Sequence, residues 1–103
     1  MDVSIILVSY NTRLLTASAI DSIIEKTQGI TYEIILVDNN SVDGTVEYLD
    51  GKFNENLIIV KSTKNLGFGK ANNLGIEIAN GKYVFLLNTD TILINNAIKV
   101  LWW

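Results

Sequence analysis

The chain has no cysteine, no histidine and no proline in its 103 residues. Without thiols or imidazoles it has no disulfide, no thiolate nucleophile, no Cys/His zinc site and no catalytic triad built on a histidine base. Any chemistry must come from carboxylates, amides, hydroxyls and lysines. A basic surplus is missing as well. Eight Lys+Arg against eleven Asp+Glu give a formal charge of −3, so nothing is left over to neutralise a phosphate backbone and no nucleic acid is expected as partner. No apolar run approaches the roughly 20 residues of a spanning helix, and Asp2 and the early Ser9-Tyr10-Asn11 spoil a leader-like reading, so a soluble chain in the cytoplasm is expected. A hydrophobic content of 49% over this length suits one compact domain and not two.

What is present is a repeated alternation. Val3–Val8 is β-branched and nearly continuous in apolar character, as in a strand buried on both faces of a parallel sheet. Glu33–Asp38, Leu57–Val60 and Lys82–Asn88 repeat that signal. Between them lie helical patterns. The first runs from about Thr12 to Thr27, with Ala17, Ile20, Ile23 and Ile24 on one stripe and Gly29 placed to end it. The second covers about Thr45 to Asp50, with Asp43 as N-cap and Gly51 just beyond. The third spans about Phe68 to Ala79, with Ala71, Leu74 and Ile78 as its stripe and Gly81 after it. A fourth begins near Asn95 or Asn96 and is still running at Leu101. The order predicts an α/β fold: an open, mostly parallel sheet of about four strands with helices on both faces, joined by right-handed crossovers.

In such sheets ligands bind at the carboxyl ends of the strands. Ser9-Tyr10-Asn11, Asp38-Asn39-Asn40-Ser41 and Asn88-Thr89-Asp90 all fall there, so three loops are expected to converge on one crevice. Asp38 ends a buried strand, where an unpaired carboxylate is costly. Either it caps the following helix or it accepts from a ligand, for which the ring N–H of uracil, thymine or guanine is suitable. Because residues 39–44 bring capping groups of their own, ligand contact is favoured. Asn88 and Asp90 offer hard oxygen donors for Mg²⁺ or Mn²⁺, and one carboxylate suffices if the metal arrives with a diphosphate, although a plain turn would use the same residues. Asn65-Leu66-Gly67-Phe68-Gly69-Lys70 opens a helix with two glycines and a lysine, a setting that favours anions, while the glycines alone could serve tight packing. Neither the dinucleotide fingerprint nor a P-loop occurs.

Taken together, Val8-Ser9-Tyr10-Asn11, Val37-Asp38-Asn39-Asn40-Ser41-Val42-Asp43-Gly44-Thr45, Asn65-Leu66-Gly67-Phe68-Gly69-Lys70-Ala71-Asn72-Asn73 and Leu86-Leu87-Asn88-Thr89-Asp90 make the chain resemble the family 2 glycosyltransferases, with most likeness to the rhamnosyltransferase-type branch. The resemblance covers nearly all 103 residues. It implies the amino-terminal, nucleotide-sugar-binding half of a GT-A fold, with residues 1–103 truncated at the carboxyl end. It implies an inverting hexosyl transfer from a UDP-, dTDP- or GDP-sugar to a hydroxyl of a saccharide or lipid-linked acceptor in polysaccharide biosynthesis. By position, Asp38 would contact the base, and Ser9, Tyr10 and Asn11 would line the nucleotide pocket. Asn40, Gly67 and Lys70 complete the implied donor site. Asp90 would match the last acid of the metal-holding Asp-x-Asp motif, with a divalent Mn²⁺ or Mg²⁺ as cofactor. Asn88 stands where the motif has its first acid, which implies a ribose contact there and weak metal affinity without nucleotide. No residue here matches the family's general base, which is expected beyond Trp103, so the chain alone is expected to bind donor without transferring sugar.

The rival from another class is a non-catalytic nucleotide-binding or self-association module on the same half-fold. A receiver-like domain would need an acidic cluster after the first strand, and a nucleotidyltransferase a Gly-rich, Arg-bearing loop, where this chain has Ser9-Tyr10-Asn11. Uncovered sheet edge and helix faces, with Trp102 and Trp103 at an uncapped helix, predict a homo-oligomer formed through surfaces exposed by truncation. Peripheral contact with the inner face of the membrane is left open for the full-length enzyme.

Overall fold

A computed structural model describes residues 1–102. The elements follow as β1 (Val3–Ser9), α1 (Arg13–Lys26), β2 (Tyr32–Asp38), α2 (Thr45–Phe53), a single 3-10 turn (Asn54–Asn56), β3 (Ile58–Lys61), α3 (Phe68–Ile78), β4 (Tyr83–Leu87) and α4 (Ala97–Trp102). All pairings are parallel and the strands lie in the order β3-β2-β1-β4. The sheet and its flanking helices are the Rossmann-like arrangement expected.

Strand parity explains the two layers of core. Val3, Ile5 and Leu7 of β1 and Ile34 and Leu36 of β2 point to one face, where they meet Ala17, Ile20 and Ile23 of α1, Leu49 and Phe53 of α2 and Ile98 of α4. Ile6, Ile35 and Val37 point to the other and meet Ala71 and Leu74 of α3. Strand side chains alternate with period two, so the unbroken apolar runs of β1 and β2 feed both faces at once. The side taken by α3 follows from handedness. The chain steps outward from β1 to β3, then reverses across the sheet to β4, and a right-handed crossover in the reverse direction places its helix on the opposite face. Gly75 lets α3 sit down on β1, since a Cβ there would lie 2.7 Å from Ile6 Cγ2.

Element ends depart from expectation by a residue or two, with one larger difference. α2 does not stop before Gly51 but continues to Phe53, because Leu49 and Phe53, one turn apart, both reach the core and hold the extra turn. The boundary residue before α2 is Gly44, with φ 80°, and Asp43 acts from one position further back by accepting from the backbone N–H (3.1 Å) and hydroxyl of Thr45. On α3 the expected stripe fails at its end: Ile78 is 42% exposed, and Gly75 is buried in its stead. Trp103 lies outside the described residues.

The amino ends of the strands are fastened by Glu33. Its carboxylate accepts from the Ser4 hydroxyl (2.5 Å) and from the backbone and side-chain amides of Asn80 (2.6 and 3.3 Å). The Gly81 N–H in turn donates to Ser4 Oγ (2.7 Å). Burial pushes the Glu33 carboxyl up, but these hydrogen bonds together outweigh it and leave the group below its ordinary value.

Candidate functional site

At the carboxyl ends the polar residues sort by the same parity as the core. Ser9 and Asp38, paired across β1 and β2, continue the α1 side, whereas Val8, Tyr10 and Asn39 continue the α3 side. Asp38 is fully enclosed and satisfied from within. It accepts from Ser9 Oγ (2.8 Å), from the Ser41 N–H (2.8 Å) and from Ser41 Oγ (2.6 Å). The expectation that the capping groups of residues 39–44 leave Asp38 free is therefore not met: Asp38 organises that loop. Ser41 Oγ also accepts from the Asn11 N–H (2.9 Å), and Asn11 Oδ1 accepts from the Val42 N–H (2.8 Å). Asn11 and Asn40 carry left-handed backbones, φ 52° and 68°, which Asn tolerates better than most residues and which fold the two loops against each other.

The α3 side holds the opening. A cleft of about 370 Å³ is lined by Val8, Tyr10, Thr12, Asn39, Asn65, Gly67, Phe68 and Thr89. Tyr10 and Phe68, each about half exposed, supply its aromatic surfaces. The cleft spans the place where β1 and β4 lie side by side and the strand order reverses, which is the crevice that open parallel sheets use for ligands. Its volume lies in the range of small-molecule sites.

Asn39 ties the cleft's far wall to the sheet. Nearly enclosed, it donates from Nδ2 to the Gly67 carbonyl (3.2 Å) and accepts at Oδ1 from the Leu66 N–H (3.0 Å). Asn65 Oδ1 accepts from the Gly67 N–H (2.9 Å) and shapes the turn locally. Gly67 has φ 80° and ψ 172°, a region essentially closed to residues with a Cβ, which makes glycine necessary there. Lys70 is exposed in the first turn of α3, and Asn88 and Asp90 are exposed beside Thr89 just past β4.

Of the residues singled out from sequence, Tyr10 and Gly67 line the cleft. Asn88, Asp90 and Lys70 border the same end of the sheet. Ser9, Asn11 and Asp38 are taken up in lacing the loops together, and Asn40 makes the turn between Asp38 and Ser41. The other lining residues, Val8, Thr12, Asn39, Asn65, Phe68 and Thr89, were not singled out from sequence, although all but Thr12 stand in the motifs that were. Parity was the available signal: counting by two from Ile6 and from Ile35 arrives at Tyr10 and Asn39. Among the described residues no three acidic, histidine or cysteine side chains group as a metal cage. The hard oxygens of Asp90 and Asn88 nonetheless fit a divalent cation whose remaining ligands come from a bound phosphate.

Fold and cleft define a Rossmann-like α/β protein of the GT-A type with a ligand crevice at its strand ends. A family model described as glycosyl transferase family 2 matches residues 4–102, and the chain belongs to that family. The poly(ribitol-phosphate) beta-glucosyltransferase of Bacillus spizizenii is 32% identical over 102 residues, covering 95% of this chain and 16% of its own length. The crystal structure of S. aureus TarS 1-349 in complex with UDP-GlcNAc superposes with a TM-score of 0.86 at 26% identity, covering 98% of this chain and 30% of that one. The mannosyltransferase PcManGT of Pyrobaculum calidifontis, in complex with GDP-Man and Mn²⁺, shares the fold at a TM-score of 0.87 and 24% identity, covering 98% and 31%. The chain thus spans about a third or less of the length of these relatives.

Proposed function

We propose that the cleft binds the nucleotide of a UDP-, dTDP- or GDP-sugar and that the protein transfers the sugar, with inversion, to an acceptor hydroxyl in the assembly of a cell-surface polysaccharide. The observation that carries this reading is the cleft itself, lined by Tyr10 and Phe68 at the reversal of strand order in a chain of this family. A planar base can stack on aromatic surfaces of this kind, and Thr12 and Thr89 bring hydroxyls to the lining. Ser9, Asn11, Asn40 and Asp38 serve the donor by holding the loops in place. The UDP-GlcNAc complex of TarS supports the donor class.

Asp90, with Asn88, would hold Mg²⁺ or Mn²⁺, which when bound neutralises the diphosphate as it departs. Lys70, at the start of α3, adds positive charge on the same side. The attacking hydroxyl needs a general base. We assign no residue of this chain to that role and place the base, with the acceptor pocket, in protein outside these residues; residues 1–103 serve as the donor-binding half. The acceptor is a saccharide, a polyol-phosphate polymer or a lipid-linked glycan. The working site is cytoplasmic, at the inner face of the membrane where the acceptor is lipid-borne. No helix among the described residues is long and apolar enough to cross a membrane.

Calorimetric titration of UDP, dTDP and GDP into the chain, with and without Mn²⁺, tests the reading. One nucleotide should bind, Mn²⁺ should strengthen it, and Asp90→Ala should remove the metal's contribution. Silence for all three nucleotides on folded protein would refute it. Strand β4 favours a second reading, self-association of a module. It is an uncharged edge strand with Val84 37% and Leu86 48% exposed, and a second copy of the chain would cover it. Light scattering that gives a monomer at all concentrations excludes that reading.

A further inference from the structure

We infer that Ser22 is a positioning residue for Asp90, acting through the backbone of Leu93, although it is no part of the cleft lining. The inference rests on the reading of Asp90 as the carboxylate that holds the divalent cation. Ser22 is a buried hydroxyl on α1, set among the buried Ala19, Ile20 and Ile23. On propensity alone an alanine or leucine would serve the helix better. The hydroxyl donates to the Ala19 carbonyl (2.7 Å), a common bond for a serine inside a helix, and that bond orients the oxygen so that it can still accept. What it accepts from is the Leu93 N–H (2.9 Å), 71 residues further along the chain.

Asp90 lies midway on a short bridge. Leu87, the last residue of β4, is paired with Leu7, and Leu93 is held by Ser22, so Asp90 stands three residues from each fixed point. Three residues of extended chain span at most about 10 Å, which limits how far the carboxylate can move while both points hold. Within the bridge the Thr91 N–H donates to the Asn88 carbonyl (3.0 Å) and shapes the turn that carries Asp90. Beyond Leu93 the chain runs irregularly toward α4, and Asn96 joins it to the end of α1. There Asn96 Oδ1 accepts from the Gln28 N–H (3.1 Å) and Nδ2 donates to the Gln28 carbonyl (3.0 Å). Asn96 is six residues from Asp90, so Ser22 is the nearer of the two tethers. The Leu93 side chain packs against the core on the α1 side, but apolar contact is non-directional and lets a leucine slide or turn. The directed bond to Ser22 sets the register of this segment along α1, and with it the point from which Asp90 is presented.

The test has two readouts. Calorimetry gives the factor by which Mn²⁺ strengthens binding of whichever of UDP, dTDP and GDP the wild type takes, and NMR gives hydrogen exchange at the Leu93 amide. In Ser22→Ala the Leu93 amide should exchange about tenfold faster. The Mn²⁺ factor should fall about fivefold, while metal-free nucleotide affinity stays within about twofold of wild type. A merely structural serine would lower stability and leave the Mn²⁺ factor alone. Coupling is reciprocal, so in the wild type Mg²⁺ with nucleotide should slow Leu93 exchange about fivefold beyond nucleotide alone, Mg²⁺ replacing the paramagnetic Mn²⁺ for NMR. The Leu57 amide, bonded in the turn before β3, is the reference that should not respond. Should Ser22→Ala fail to fold, this wild-type comparison decides alone. An unchanged Mn²⁺ factor in Ser22→Ala, an equal loss of affinity with and without metal, or a Leu93 amide indifferent to Mg²⁺ each overturns the proposal. Two other results fall on the underlying reading instead. A wild type that binds no nucleotide defeats the cleft, and one whose nucleotide binding ignores Mn²⁺ defeats the assignment of Asp90; in either case the role of Ser22 falls before any variant is compared.

Discussion

At each end of the sheet one carboxylate gathers hydrogen bonds from neighbouring segments, and the two ends differ in what the carboxylate holds. At the amino end Glu33 accepts from Ser4 and Asn80, and the Gly81 turn closes over the start of β1. At the carboxyl end Asp38 accepts from Ser9 and Ser41 on the α1 side, and the residues of opposite parity open away from it toward α3. The enclosed Asp38 carboxylate thus belongs to the frame of the cleft, and the residues of opposite parity to its lining. Asp38 ties Ser9 to the loop after β2, and Tyr10, Asn39 and Phe68 line the cleft on the other side.

That contrast can be broken most forcefully at Asp38. Asp38→Ala leaves the Ser9 hydroxyl and the Ser41 N–H without their buried partner, and stability should fall by about 3 kcal/mol, read from urea unfolding. Any loss of nucleotide binding should track the loss of folded protein. At the other end Gly81→Ala would set a Cβ 2.5 Å from the Val3 carbonyl carbon, against backbone that cannot give way, for a cost of about 2 kcal/mol in the same assay. Tyr10→Ala should do the reverse of Asp38→Ala, with stability changed by under about 0.5 kcal/mol and nucleotide affinity lowered about tenfold. Equal loss of stability in Tyr10→Ala and Asp38→Ala would erase the distinction between frame and lining. The smallest effect is in pH. The Glu33 carboxyl is held below its ordinary value, so its contribution is complete above the unfolded-chain value and is lost as pH falls through the lowered folded one. Asp2 and Asp43 are lowered as well, by hydrogen bonds from Thr31 and from Thr45 respectively. The measurement is therefore the difference between wild type and Glu33→Gln in acid unfolding curves, and the wild type should lose more stability on acidification.

The layout was legible in the sequence because β1 and β2 are apolar on both faces and the helical stripes repeat at the right spacing. The crossover rule then gave a parallel sheet with helices on either side. Less legible was the end of α2, where packing of Leu49 and Phe53 overrode a glycine. The site was legible as a place but not residue by residue. Asp38 looked available because its neighbours carry capping groups, and nothing in local composition tells that Ser9, on another strand, donates to it. Asn39 and Phe68 were read only as members of their motifs, because the first sits beside a more conspicuous acid and the second opens a helix with an apolar residue. Asn39 emerges once parity is carried past the strand end, and Phe68 emerges from the turn that Asn39 holds.

The strand order also governs when the molecule can take shape. Val3 pairs with Tyr32 on one side and with Tyr83 on the other, so β1 lacks its second neighbour until some eighty more residues exist. At about 5–20 residues per second of synthesis that interval is several seconds, and all the pairings are non-local, which is the slow kind. During it Val3 to Leu7 have one flank of the sheet open, and the crevice between β1 and β4 has no second wall. The nascent chain is therefore most exposed to mispairing along β1, and assembly of the crevice waits for the last strand to dock.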